Sequence, residues 1–204
     1  MRSLAFATMT DVSNAIPVDP QILRRRRATV AGTVVAGLLA IVAVIVLVSS
    51  GSAKKKAKTG GFTPARIVTV SELKTIATGL GFPLYWAGNL KNARIEYSTT
   101  AQDKGRYFVR YLSPGATPGD PRGAFLTIGT YPQDNAYSIM QKASKVPAAT
   151  SVSTKSGALV VNDRRKPTSV FFAFPNANYQ VEVFDPSPAR ARRLVLGGTI
   201  RRVI

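Results

Sequence analysis

Ser71-Glu-Leu-Lys74 has the S-x-x-K spacing of serine acyl-transfer enzymes, in which a serine attacks and a lysine one helical turn later takes its proton. Lys155-Ser-Gly157 matches the third motif of the same enzymes. The middle S-x-N motif is missing between them, and a region of about 140 residues is too small for that fold. Ser71 also stands where a helix-capping serine would stand, which gives it a structural duty. The chain contains no His and no Cys. That removes every Ser-His-Asp arrangement, thiolate nucleophiles, ordinary zinc sites, disulfides and lipid attachment at cysteine. Acid–base work near neutral pH would fall to perturbed carboxylates or lysines. The acidic residues of the C-terminal region are scattered. Glu96 and Glu182 sit on alternating stretches among basic neighbours, which predicts solvated cross-strand ion pairs rather than a glycosidase pair. "GLG" at 79–81 lacks a third glycine and follows a helical stretch, so it reads as a helix stop. The residues imply no catalytic group, no cofactor and no metal. The expectation is a non-catalytic protein, with a hydrolase-type enzyme using a Ser-Lys or carboxylate site as the alternative.

Binding is the chemistry the composition favours. The chain has 28 Lys+Arg against 10 Asp+Glu, a net charge of +18. Such an excess suits anionic lipid heads or envelope polymers that carry phosphate or carboxylate. The candidate contacts for a polyanion are Arg164, Arg165 and Lys166 in a turn, and Arg190, Arg192 and Arg193 on a helix face. Tyr85 and Trp86 hold the only indole. Exposed, this pair would stack on a sugar ring or sit in a lipid interface; buried, it would anchor a core. No nucleic-acid-binding motif is present, and an external domain would not meet nucleic acid.

These groups must be positioned by something, and the first element is an apolar bar. Ala28 to Val48 is 21 residues without a charge, long enough as a helix to cross a hydrocarbon core of about 30 Å. Arg24, Arg25, Arg26 and Arg27 abut one end; Lys54, Lys55, Lys56 and Lys58 lie beyond the other behind a Ser/Gly spacer. With Arg2 the basic tally is five against four. The arginines lie closest to the bar, and this predicts a cytoplasmic N-terminus with the C-terminal domain outside the cell membrane. The inverted arrangement, a cytoplasmic domain lying on anionic lipid, is the alternative. Small residues before Lys54 would let a signal peptidase cut after Ala53, but the long bar and the 27 residues before it favour an uncleaved anchor. Ala28, Gly32, Ala36 and Ala40 make a small-residue ridge that could bring two such helices together as a homodimer. The predicted organisation is a cytoplasmic tail without structure over 1–27, a membrane helix over 28–48, a basic flexible stalk over 49–63 and a domain over 64–204.

Within that domain "SELKTIATGLG" has helical spacing, capped by Ser71 and stopped by Gly81 and Pro83. "PQDNAYSIMQKASK" is a second helix. A third opens at Ser187-Pro188 and ends at Gly197-Gly198. "ARIEYSTT", "GRYFVRYL", "AFLTIGTY", the two arms of "ALVVNDRRKPTSVFFAF" and "NYQVEVF" read as strands, and "TIRRVI" as a short edge strand. Consecutive strands predict an α+β domain: a mostly antiparallel sheet with about three helices packed on one face. "PLYWAG", "GRYFVRYLSPG", "AFLTIGTYP" and "EVFDPSPARAR" resemble a group of uncharacterised single-pass membrane proteins of high-GC Gram-positive bacteria. The resemblance implies a small extracytoplasmic domain behind one anchor. It implies no activity and assigns no functional residue.

Overall fold

Period-two alternation over 94–100, 106–112 and 179–184 feeds one large sheet. A computed structural model describes residues 62–101 and 105–204. The elements run β1 (Arg66–Ile67), α1 (Val70–Thr78), β2 (Tyr85–Trp86), β3 (Arg94–Thr100), β4 (Arg106–Leu112), β5 (Thr127–Pro132) and α2 (Ala136–Ala143). Then follow β6 (Ala149–Ser153), β7 (Leu159–Asp163), β8 (Ser169–Ala173), β9 (Tyr179–Phe184), α3 (Pro188–Leu196) and β10 (Arg201–Arg202). Eight strands form an antiparallel sheet in the order β1-β3-β4-β5-β9-β8-β7-β6. It is two meanders, β3–β5 and β6–β9, joined where β5 pairs with β9 from Thr127↔Phe184 to Pro132↔Tyr179. The α+β class is therefore the observed one. β10 does not join the large sheet's edge; it pairs with β2 in a two-stranded ribbon.

One face carries the main core. Ile95, Tyr97, Val109, Ile128, Val181, Val183, Val170 and Phe172 point to it and meet Leu73 and Ala77 of α1, Ala191 and Val195 of α3, and the β2/β10 ribbon. Each large aliphatic side chain buried there, such as Leu73 or Ile128, contributes roughly 1.5–3 kcal/mol. The second face is also covered, which corrects the one-face expectation. Leu159, Val161, Phe171 and Ala173 pack on Ala136 and Met140 of α2. The 113–126 loop lies over the β3–β4 end, where its Ala116 and Phe125 cluster with Leu112 of β4.

Helix ends follow local chemistry. The sequence predicts Ser71 as the cap of α1, but Thr69 is the cap. Its hydroxyl accepts from Glu72 N (3.1 Å), and the Glu72 carboxylate accepts from Thr69 N (2.7 Å), a reciprocal capping box. Ser71 lies inside the helix, and α1 ends at Gly79 rather than Gly81. α3 begins as the sequence predicts, with the Ser187 hydroxyl accepting from Arg190 N and Pro188 in the first turn.

Candidate functional site

The basic turn between β7 and β8 and the arginines of α3 come to the same end of the sheet. Asp185, between β9 and α3, donates its N–H to Thr168 O (3.0 Å) beside that turn. The turn is largely tied to its own domain. The Asp163 carboxylate accepts from Arg165 N (2.8 Å) and the Arg165 guanidinium (2.8 Å), and this partner holds its pKa below the ordinary value. Arg164 donates to Pro147 O (2.7 Å). Lys166 is half-buried beside them.

The α3 arginines do not share one face. Ala191 and Val195 face the core, so Arg190 and Arg192 fall on opposite flanks of the helix. Arg190 pairs with Asp185 (3.1 Å). Arg193 points to solvent. Arg192 leans toward the sheet's last strand, where Nη1 meets Thr150 Oγ1 at 3.5 Å. Between α3 and that strand runs a groove. Thr150, Ser151 and Val152 of β6, Val160 and Asn162 of β7, Val170 of β8, and Arg192 and Leu196 of α3 line it. The sequence reading passed over β6 altogether.

Tyr85 and Trp86 are corrected as ligand-stacking residues: both are buried, Trp86 at 6 % exposure. The Tyr85 ring meets Phe172 edge-on (5.4 Å), and its hydroxyl lies 3.3 Å from the Tyr179 hydroxyl. Burial pushes the Tyr85 phenol up. Neither ring offers a face to a ligand.

The two strand carboxylates are buried, not solvated. Glu96, fully enclosed, stands opposite Arg110 across the β3–β4 ladder and accepts from its Nη1 (2.8 Å) and from Gly119 N (2.6 Å). The predicted cross-strand pair exists, but the 113–126 loop seals it. Glu182 is buried on β9, opposite Gly129 of β5. It accepts from the Tyr131 hydroxyl (2.5 Å) and the Ser169 hydroxyl (2.7 Å), and burial raises its pKa. Tyr131 folds back over Gly129, where a Cβ would collide with its hydroxyl; this close approach explains a glycine in mid-strand. Tyr131 and Glu182 are both buried, and their hydrogen bond joins neighbouring strands β5 and β9 inside the sheet. Ser71 and Lys74 are exposed on α1, whereas Lys155–Gly157 close the β6–β7 hairpin at the opposite edge of the sheet from β1. They form no common site.

Among the described residues no helix is long and apolar enough to cross a membrane, and no three His, Cys, Asp or Glu side chains gather as a metal site would. The membrane-flanking residues Arg24–Arg27, Lys54–Lys56 and Lys58 lie outside the described residues. So do the ridge at Ala28, Gly32, Ala36 and Ala40 and the segments 1–27 and 28–48. Set against protein-family models, curated proteins and solved structures, the chain matches none of them.

Proposed function

We propose that the chain is a single-pass membrane protein with a cytoplasmic N-terminus. Residues 64–204 are displayed outside the membrane as a non-catalytic binding domain. Its basic surface engages an anionic envelope polymer or an acidic partner protein. One observation carries the binding part of this reading: six acids of the domain are engaged by groups of the same domain, while seven of its cations lie toward solvent. Glu72, Glu96, Asp120, Asp163, Glu182 and Asp185 all direct their oxygens at groups of the same domain. Lys74, Lys91, Lys142, Lys145, Lys155, Arg193 and Arg201 lie toward solvent. A surface sorted in this way presents a positive field to its surroundings. The 21-residue apolar bar and the resemblance to single-pass proteins support the anchor. Described chain enters at the β1 edge, where Thr63 and Thr99 exchange hydrogen bonds. The β6 edge lies seven strand spacings of about 4.8 Å away, roughly 34 Å.

Tags before Met1 and after Ile204, with protease on intact protoplasts, test the topology. Loss of the C-terminal tag alone is the expected result. Protection of that tag would overturn the reading and turn the search to inner-leaflet lipid. Binding of the purified chain to a phosphate-bearing envelope polymer should weaken steeply as salt rises. Salt-independent binding, or none, would overturn the polyanion part.

A further inference from the structure

We propose that the β6 edge takes an added strand from a partner protein: an extended acidic segment with an apolar residue and a carboxylate two positions apart. This rests on the interaction-module reading and names the partner's chemistry. β6 is the last strand of the sheet, and among the described residues no strand pairs with its outer side. Its register tells which groups are open. Thr154 N donates to Ala158 O and Arg164 N to Ala148 O, both 2.9 Å. Hydrogen-bonded pairs alternate in an antiparallel ladder, so Thr150 and Val152 turn their backbone groups inward to β7. Ser151 and Ser153 turn theirs outward.

Edge strands ordinarily defend themselves with a charge, a proline or a bulge. Ala149-Thr-Ser-Val-Ser153 contains no charge and no proline, and it pairs with β7 in unbroken register without a bulge. Beside it the groove supplies side-chain recognition. Val160 and Val170 make the floor, Val152 (44 % exposed) and Leu196 (45 % exposed) are half-open apolar walls, and Arg192 stands by Thr150. α3 follows β9 and runs the same way as β6. Arg192 to Leu196 therefore advances about 6 Å as a helix, and Thr150 to Val152 about 6.6 Å as a strand. A strand laid on β6 would put one side chain beside Val152 and Leu196. The side chain two positions along would lie beside Thr150 and Arg192.

Charge selects the occupant. Arg164 stands opposite Ala148 beside the start of β6, Lys155 just past its end and Arg192 in the groove wall, while Asp163, opposite Ala149, is held by Arg165. A second copy of a +18 chain would meet its own cations there. An acidic extended segment would meet complementary charge, with main-chain hydrogen bonds giving affinity and alternate side chains giving specificity.

The test uses the full chain in detergent micelles and a fluorescent peptide, TVTVTET, with TVTVTKT as its basic counterpart. The acidic peptide should bind, and the basic one at least tenfold more weakly. Ser151→Pro removes an outward N–H that no ladder bond uses; it should weaken peptide binding at least tenfold while polyanion binding persists. Arg192→Glu should lose the preference for the acidic peptide. A peptide N-methylated at the residues that would bond Ser151 and Ser153 should fail on the wild-type chain, which tests the backbone bonds even if the proline variant does not fold. Binding unchanged by N-methylation would overturn strand addition. Polyanion binding without peptide binding would sink this proposal and leave the broader reading standing; loss of both would sink both. A dimer abolished by Ser151→Pro would overturn the acidic partner in favour of a second copy.

Discussion

Glu96→Ala should be among the most damaging single changes to this domain. The side chain is fully enclosed, and its removal strands Arg110, which is only 17 % exposed, and leaves Gly119 N without its acceptor. Breaking a buried pair by removing one partner costs about 3–5 kcal/mol. Arg110 keeps the Asp120 carbonyl (2.8 Å) and its place over the Phe125 ring (5.3 Å), so the cost falls at the low end, about 3 kcal/mol. In a domain of this size that lowers Tm by roughly 10 °C. Urea unfolding of the full chain in mild detergent, followed by Trp86 fluorescence, measures it. Glu96→Met with Arg110→Met should recover most of the loss, because an apolar pair of similar volume leaves no buried charge behind. Protease cutting in the 113–126 loop should rise in the alanine variant and fall again in the double variant. A loss under about 1 kcal/mol, the usual worth of a solvated pair, would refute the reasoning and mean the loop does not seal the sheet.

Glu182 titrates in the opposite sense from a salt-bridged acid. Its folded pKa is raised by burial, so its contribution to stability is full below the unfolded value of about 4.3 and is lost as pH rises through the folded value. Glu182→Gln should match the parent in acid and exceed it near neutral pH; parallel urea-midpoint curves across that range would contradict this. Thr69→Ala breaks the capping box and should cost about 1 kcal/mol, with faster amide exchange confined to the first turn of α1; unchanged exchange there would argue against the cap. Trp86 should emit at short wavelength and resist iodide, and quenching comparable to free tryptophan would show the indole is not in the core.

The strands that the sequence reveals are those with one buried face. "GRYFVRYL" alternates because Tyr107, Val109 and Tyr111 enter the core while Arg106, Phe108 and Arg110 turn to the second face. β6 is invisible by the same logic. It lies at the edge, much of it faces solvent, and Ala-Thr-Ser-Val-Ser carries no period. Cover on the second face left a trace: "LVV" and "VFFA" are continuous apolar runs, as strands enclosed on both sides must be. Thr69 with Glu72 three residues later was also available as a capping box, and is a stronger signal than Ser71 alone. The burial of Glu96 and Glu182 was not available. Alternation puts them on the polar face, but only tertiary packing of the 113–126 loop and the Tyr131–Ser169 pair encloses them.

The seam between the meanders sets a timetable for synthesis. β5 becomes the middle of the sheet only when β9 arrives, and Tyr179 leaves the ribosome 47 residues after its partner Pro132. At about 5–20 residues per second that is an interval of roughly 2–10 s. Until then the β3–β5 meander ends in an open row of N–H and C=O groups on Thr127–Pro132, with Ile128 lacking its cover from Val183. The ladder at the middle of the finished sheet is thus, in the growing chain, an open edge exposed to aggregation, and a chaperone or export factor that holds the nascent chain would be needed most between those two residues.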